Sequence, residues 1–212
     1  MTHRPEILRI ALLGVATVAF AVLAACAHAD TQGLAFGVDL HTNSVGNDAD
    51  RTGAPPGSLF LEGTGAGAAL WVGYGFTPSF AARLFLAGAE HSTSDDDVKI
   101  EFGDATFEAM YLFRNPEVIR PYVLGGVGGF SVASRVHDYD YETTGPGLVV
   151  GTGLQCFFNE TFAIDFGVRG EFIHWEEATA THDTGSGDTT VRSPLDEDGA
   201  ALKVVLGSSF WF

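Results

Sequence analysis

Residues 199–212, GAALKVVLGSSFWF, are the stretch on which the reading of the whole chain turns. Counted back from Phe212 in steps of two, one face carries Phe210, Ser208, Leu206, Val204, Leu202 and Ala200. The alternate face carries Trp211, Ser209, Gly207, Val205, Lys203 and Ala201, mostly small side chains with a single charge. A period of two belongs to a strand, whose side chains point alternately to the two faces of a sheet. One such strand is weak information by itself, so the question is whether the remaining chain supplies partners.

It supplies seven. Residues 34–42 set Leu34, Phe36, Val38 and Leu40 against Ala35, Gly37, Asp39 and His41. A second run, residues 58–76, sets Leu70, Val72, Tyr74 and Phe76 against Gly67, Ala69, Trp71, Gly73 and Gly75. The third places Phe80, Ala82, Leu84 and Leu86 opposite Ala81, Arg83, Phe85 and Ala87. In the fourth, residues 98–114, Ala105, Phe107, Ala109, Tyr111 and Phe113 alternate with Thr106, Glu108, Met110 and Leu112. Val98, Ile100 and Phe102 are out of phase with that pattern, which predicts a bulge near Gly103-Asp104. Residues 122–132 and 147–158 give the fifth and sixth strands. The seventh sets Phe162, Ile164, Phe166 and Val168 against Asp165, Gly167, Arg169 and Glu171.

The connections alternate in length. Residues 43–57, 92–97, 133–146 and 176–198 are long and polar, although part of 133–146 could extend its flanking strands. Residues 77–79, 115–121 and 159–160 are short. Short turns at one end, long loops at the other and an apolar face on every strand predict an all-β fold. It is an eight-stranded antiparallel up-and-down transmembrane β-barrel with lipid outside and a narrow lumen lined by Gly and Ala. Closure is required in lipid, because an open sheet edge would leave backbone groups without water. Phe76, Phe80, Tyr111, Phe113, Tyr122, Phe158, Phe162 and Phe212 all fall near the short-turn end and form a predicted aromatic girdle.

Residues 1–29 read as a secretory signal, with a basic start at His3, Arg4 and Arg9 and an apolar run from Ile10 to Ala25. Ala27-His28-Ala29 before Asp30 fits an ordinary cleavage site, leaving residues 30–212 as one barrel domain. Leu23-Ala24-Ala25-Cys26 offers the alternative of lipidation at Cys26. Cysteine is too scarce for a disulfide framework, and the net charge of −16 argues against nucleic acid as a partner.

With the loop rhythm, the aromatic end and the stretch Arg120-Pro121-Tyr122-Val123-Leu124-Gly125-Gly126-Val127-Gly128-Gly129, the chain resembles the small OmpA/OmpX-type outer-membrane barrels. The resemblance implies outer-membrane lipid and lipopolysaccharide as surroundings and the barrel-assembly machinery as a partner. It implies that Phe210 and Phe212 form the assembly signal, that the protein is a monomer, and that it needs no cofactor. It leaves no room for an appended periplasmic domain.

Within that frame, Asp39, Arg83, Glu108, Asp165, Arg169, Glu171 and Lys203 face the lumen. An ion-pair network filling the bore is the plain reading, because buried charges need partners, and a narrow gated pore is the alternative. Acidic residues crowd the connections assigned to the outside, including Asp95–Asp97, Glu101, Asp104, Asp138, Asp140, Glu142, Glu176, Glu177 and Asp196–Asp198. A solvated repelling surface explains them; divalent cations shared with lipopolysaccharide phosphates are the sharper reading, with no ligand set that spacing can name. His41, His91, His137, His174 and His182 map to the same outer end, where a metal-binding or pH-sensing role competes with simple polarity. Lipid A deacylases on this scaffold use Ser, His and an acid; His174 with Glu176 or Glu177 lacks the nearby Ser, so no enzyme is expected. The expectation is a surface-interaction barrel serving adhesion, host contact or envelope integrity, with strands two and four projecting beyond the membrane and offering an edge.

Overall fold

The structure, a computed structural model, describes residues 31–47, 64–91, 98–113, 118–136, 139–183 and 188–212. Residues 1–29, read above as a secretory signal and including Ala29 and Cys26, lie outside the described residues, as do Asp95–Asp97, His137 and Asp138. Eight strands run in order: β1 Gly33–Asn47, β2 Thr64–Thr77, β3 Phe80–His91, β4 Val98–Leu112, β5 Ile119–Val136, β6 Tyr139–Phe157, β7 Phe162–Asp183 and β8 Asp188–Trp211. Each pairs antiparallel with its neighbour, and β8 closes on β1 from Ala35↔Trp211 to Asn47↔Gly199. Paired residues followed from Phe36 through Val72, Leu84, Phe107, Val127, Leu148 and Phe172 lead to Ala200, whereas Phe36 itself faces Phe210. That offset of ten residues between Ala200 and Phe210 is the shear that tilts the strands and sets the bore.

The outside of the wall is the apolar face of each strand, as alternation requires. Leu40, Leu70, Val127, Leu148, Phe172 and Leu206 are all exposed, an arrangement stable only against lipid. At the short-turn end, Phe36 stacks on Phe210 at 5.1 Å, Phe162 meets Phe210 at 5.0 Å, and Tyr111 meets Phe113 at 5.2 Å. The Phe212 amide donates to the Leu34 carbonyl at 2.8 Å, seaming the end of the chain to its first strand. Gly33 beside this seam has φ 104°, and a Cβ there would lie 2.0 Å from the Phe212 carbonyl oxygen, so both backbone and space demand glycine. The β6–β7 turn is fixed by Asn159, whose Oδ1 accepts the amides of Thr161 at 2.9 Å and Phe162 at 2.8 Å.

Four expectations are corrected. No bulge interrupts β4: its pairing with β3 and β5 is continuous past Gly103 and Asp104. The connections read at 133–146 and 176–198 are largely strand, so β5 to β8 project as well, beside the upper end of β4, which pairs up to Val98↔Val136; residues 58–63 of strand two lie outside the described residues. Residues 43–47 likewise continue β1 instead of beginning a loop. Tyr122 is no girdle residue; it is 3% exposed and points inward.

The irregularities fall elsewhere, where β6 passes from Thr144 to Gly147 and β7 from Trp175 to Glu177. These shifts lie at the level where the lipid-facing residues end, and bulges there re-aim the strands of the projecting hairpins.

Candidate functional site

The lumen is built in three layers. Toward the short turns, Leu112, Phe157, Ala163 and Trp211 are buried, and Trp71 meets Trp211 edge-on at 6.2 Å. Toward the outside, Ile100, Phe102, Phe130, Val132, Ile173 and Trp175 are buried together, with Phe102 and Phe130 rings 6.2 Å apart. Between these apolar layers sit the charges.

All seven residues assigned to the lumen by periodicity are buried. Five form a continuous chain. Arg83 Nε lies 2.7 Å from Glu108 Oε2, and Arg169 Nη2 lies 2.6 Å from Glu108 Oε1. Arg169 Nε is 3.6 Å from Glu171, whose Oε1 is 2.9 Å from Lys203 Nζ. Thr106 Oγ1 adds a donor to Glu108 at 2.7 Å. The guanidinium of Arg169 rests over the Phe85 ring at 3.8 Å, and Lys203 Nζ lies 4.9 Å from the Phe102 ring centre. Fixed polar and π partners of this kind are what a narrow bore requires to hold charge out of water.

The remaining two stand apart from that chain. Asp165 accepts from Tyr122 Oη at 2.8 Å and Gln155 Nε2 at 3.1 Å. Asp39, expected in the ion-pair network, has no cation within ion-pairing distance among the described residues, and its Oδ1 has no hydrogen-bond partner among them. It lies over Gly207, where a Cβ would come within 1.8 Å of that oxygen. Register explains the separation, because Asp39 and Asp165 are the two cross-strand neighbours of Gly207 on β1 and β7.

Sequence reasoning missed one member. Asp104, assigned to the outer acidic surface, is buried in the lumen, paired with Lys203 and 3.9 Å from Arg169 Nη2. The supposed bulge hid it: without one, Asp104 is in phase with Thr106 and Glu108. His41, on the inner face as its alternation requires, and His91 are both buried, at 4% and 6% exposure. Burial holds the His91 ring, above the lipid-facing band, below its ordinary pKa.

Outside the wall, His174 is held by β8, with Nδ1 3.0 Å from Asp198 and Nε2 3.6 Å from Asp196. The hydrogen bond to Asp198 raises its pKa. Its ion-pair contacts are therefore to β8, while Glu177 lies 3.8 Å from Arg192. Higher on the same outer face, Arg135 and Asp140 form a two-point contact, with 3.0 Å between Nη2 and Oδ2.

The upper sheet reverses the polarity of the wall. Its outer face carries Arg135, Asp140, Glu142, Glu177 and Arg192, whereas below it the outer face carries Val127, Leu148 and Phe172. Apolar residues pointing out mark lipid, and charges pointing out mark water.

Comparison with known proteins agrees with this geometry. No curated protein matches the chain. Among solved structures, Neisserial surface protein A superposes with a TM-score of 0.64 at 13% identity, covering 85% of this chain and 98% of that one. A major outer membrane protein from Thermus thermophilus gives 0.55 at 13% identity over 84% of this chain and 99% of its own. Ail, the attachment invasion locus protein of Yersinia pestis, gives 0.52 at 16% identity over 84% and 98%. These are likenesses of fold. The model of the outer membrane protein beta-barrel domain matches residues 12–191. The chain thus belongs to the outer membrane protein β-barrel family and resides in the bacterial outer membrane.

Proposed function

We propose that this protein is a plugged barrel that displays the β5–β8 sheet on the cell exterior as an interaction surface, for adhesion, host contact or envelope integrity. The observation that carries the reading is the contrast between a filled bore and a charged exterior. Apolar layers close the lumen at both ends around the Arg83–Glu108–Arg169–Glu171–Lys203 chain. The outer face above the wall is acidic: Glu90 sits directly opposite Glu101, and Asp140, Glu142, Glu176, Glu177, Asp196 and Asp198 outnumber Lys99, Arg135 and Arg192. A partner of cationic chemistry fits such a surface, and its encounter is steered by the field.

A solved complex of Ail contains the heparin analogue sucrose octasulfate. A sulfated ligand of that kind is disfavoured here, because the described exterior presents carboxylates to it.

Two measurements test the reading. In proteoliposomes, a lysine-rich reporter peptide should bind the wild type, with affinity falling as salt rises from about 0.05 to about 0.5 M. Glu142→Lys with Glu177→Lys should weaken that binding. Planar bilayers should show no unitary conductance; a stable, reproducible pore, or peptide binding indifferent to salt and to both substitutions, overturns the proposal.

A further inference from the structure

Register places Val127, Leu148, Phe172, Ala200 and Gly46 in one outward row across β5, β6, β7, β8 and β1. The row steps from three large apolar residues, each more than half exposed, to two small ones, and a Cβ added at Gly46 would meet nothing within 4 Å. The step opens a cleft of about 1090 Å³, at the upper end of ligand-site volumes. Its floor is continuous with the lipid-facing wall, and its upper rim carries His174 and, directly across on β8, Asp198. The cleft thus lies where the outside of the protein changes from lipid to water. At the rim the His174 side chain is 47% exposed, with Nδ1 3.0 Å from Asp198. Its Nε2 is 3.6 Å from Asp196, too long for a hydrogen bond, which leaves that nitrogen free to donate elsewhere. Glu176 adds its charge to the same field.

We propose that this cleft holds a membrane phospholipid with an ethanolamine headgroup. The membrane bathes the cleft floor, so acyl chains lie against Leu148, Phe172 and Ala200 and the headgroup comes level with His174. A charged imidazole with a free Nε2–H donates to a phosphate oxygen, and Asp196 and Asp198 accept from a primary ammonium. One imidazole among three carboxylates leaves the rim acidic. A phosphate without its own cation, as on phosphatidylglycerol or lipopolysaccharide, meets repulsion there, whereas the ethanolamine head brings an ammonium with it. A choline head has the same charge and no N–H to give the carboxylates. Headgroup chemistry therefore selects the lipid, with the chains held alike. The site is separate from the cationic partner of the upper sheet and rests on the placement of the wall in lipid.

The test offers the folded protein, in detergent micelles, an equimolar mixture of phosphatidylethanolamine, phosphatidylcholine and phosphatidylglycerol with identical chains. Native mass spectrometry counts the lipid retained. The ethanolamine lipid should be retained about tenfold over the glycerol lipid and about threefold over the choline lipid. Ring resonances of His174 should shift with the ethanolamine lipid and not with the glycerol lipid. Asp196→Asn with Asp198→Asn should erase the preference over choline. Gly46→Trp, which fills the cleft from a position with open space, should abolish retention of all three. Heat-modifiable gel mobility confirms that each variant is folded. Equal retention of the ethanolamine and glycerol lipids, an unchanged preference in the double Asn variant, retention that survives Gly46→Trp, or displacement of the ethanolamine lipid by equimolar lipopolysaccharide overturns the proposal. The lipid measurement contains no peptide, so it can fail while the lysine-rich peptide still binds, and the reverse.

Discussion

Phe107 and Phe102 lie on the same strand, β4, yet one is 58% exposed and the other 1%. A few residues of strand separate a region whose outside is lipid from one whose outside is water. Below the change, the wall is apolar outward and carries Glu108, Arg169 and Lys203 inward. Above it, β4 and β5 turn Ile100, Phe102, Phe130 and Val132 inward and Glu101 and Arg135 outward, as in a soluble protein. The strand geometry is unchanged through β4, since its register is unbroken. What changes is the solvent. Hydrophobic alternation therefore reports the medium against each face, and its sense reverses at the membrane surface.

The comparison can be broken most severely at the seam that closes the wall. Deleting Phe212 removes its amide bond to Leu34 and its ring from beside Phe36. The expected outcome is loss of outer-membrane insertion in cells, followed by fractionation and heat-modifiable mobility; normal insertion would remove the assembly role proposed for Phe210 and Phe212. Next in size is Glu108→Ala, which strips Arg83 and Arg169 of a shared partner at zero exposure. Breaking a buried pair in this way should cost about 3–5 kcal/mol in urea unfolding from lipid. A loss under about 1 kcal/mol would mean that water reaches the lumen freely.

A matched pair of substitutions sharpens the boundary itself. Leu206→Arg, facing lipid opposite Leu40 and Phe166, should cost about 2–4 kcal/mol. Val191→Arg, equally apolar and exposed but above the wall, should change stability by no more than about 0.5 kcal/mol. Similar costs for both would place Val191 in lipid.

The smallest effect concerns His91 and His174, which should titrate in opposite directions. His91 is buried and its pKa is lowered, so its contribution is complete above the ordinary histidine pKa and stability is lost as pH falls below it. His174 has a raised pKa through Asp198, so its contribution is present below the ordinary value and is lost as pH rises through the raised one. Imidazole titrations by NMR should show this order, and Asp198→Asn should return His174 toward ordinary behaviour. Equal pKa values in the folded protein would contradict the inner and outer placement.

The wall was legible because lipid imposes a long, regular alternation, as in Leu202, Val204 and Leu206 against Lys203 and Val205. The inward charges followed from the same period. Asp104 and His91 were not legible, because an apolar inner face on Ile100 and Phe102 looks like an outer face shifted by one residue. Tyr122 was misleading in another way: its position near the rim fits a girdle, and only the opposing Asp165 shows why it turns inward.

By itself the sequence determined an eight-stranded closed wall, its lipid face, its alternation of turns and loops and most of its lumen charges. Those follow from a local period of two and from the intolerance of lipid for open edges. The tertiary structure decided which strands project, where bulges fall, which acid joins Lys203 and which carboxylate is left over Gly207. Such features depend on register and shear across several strands, and on the height at which each face leaves lipid, which no single strand's alternation records.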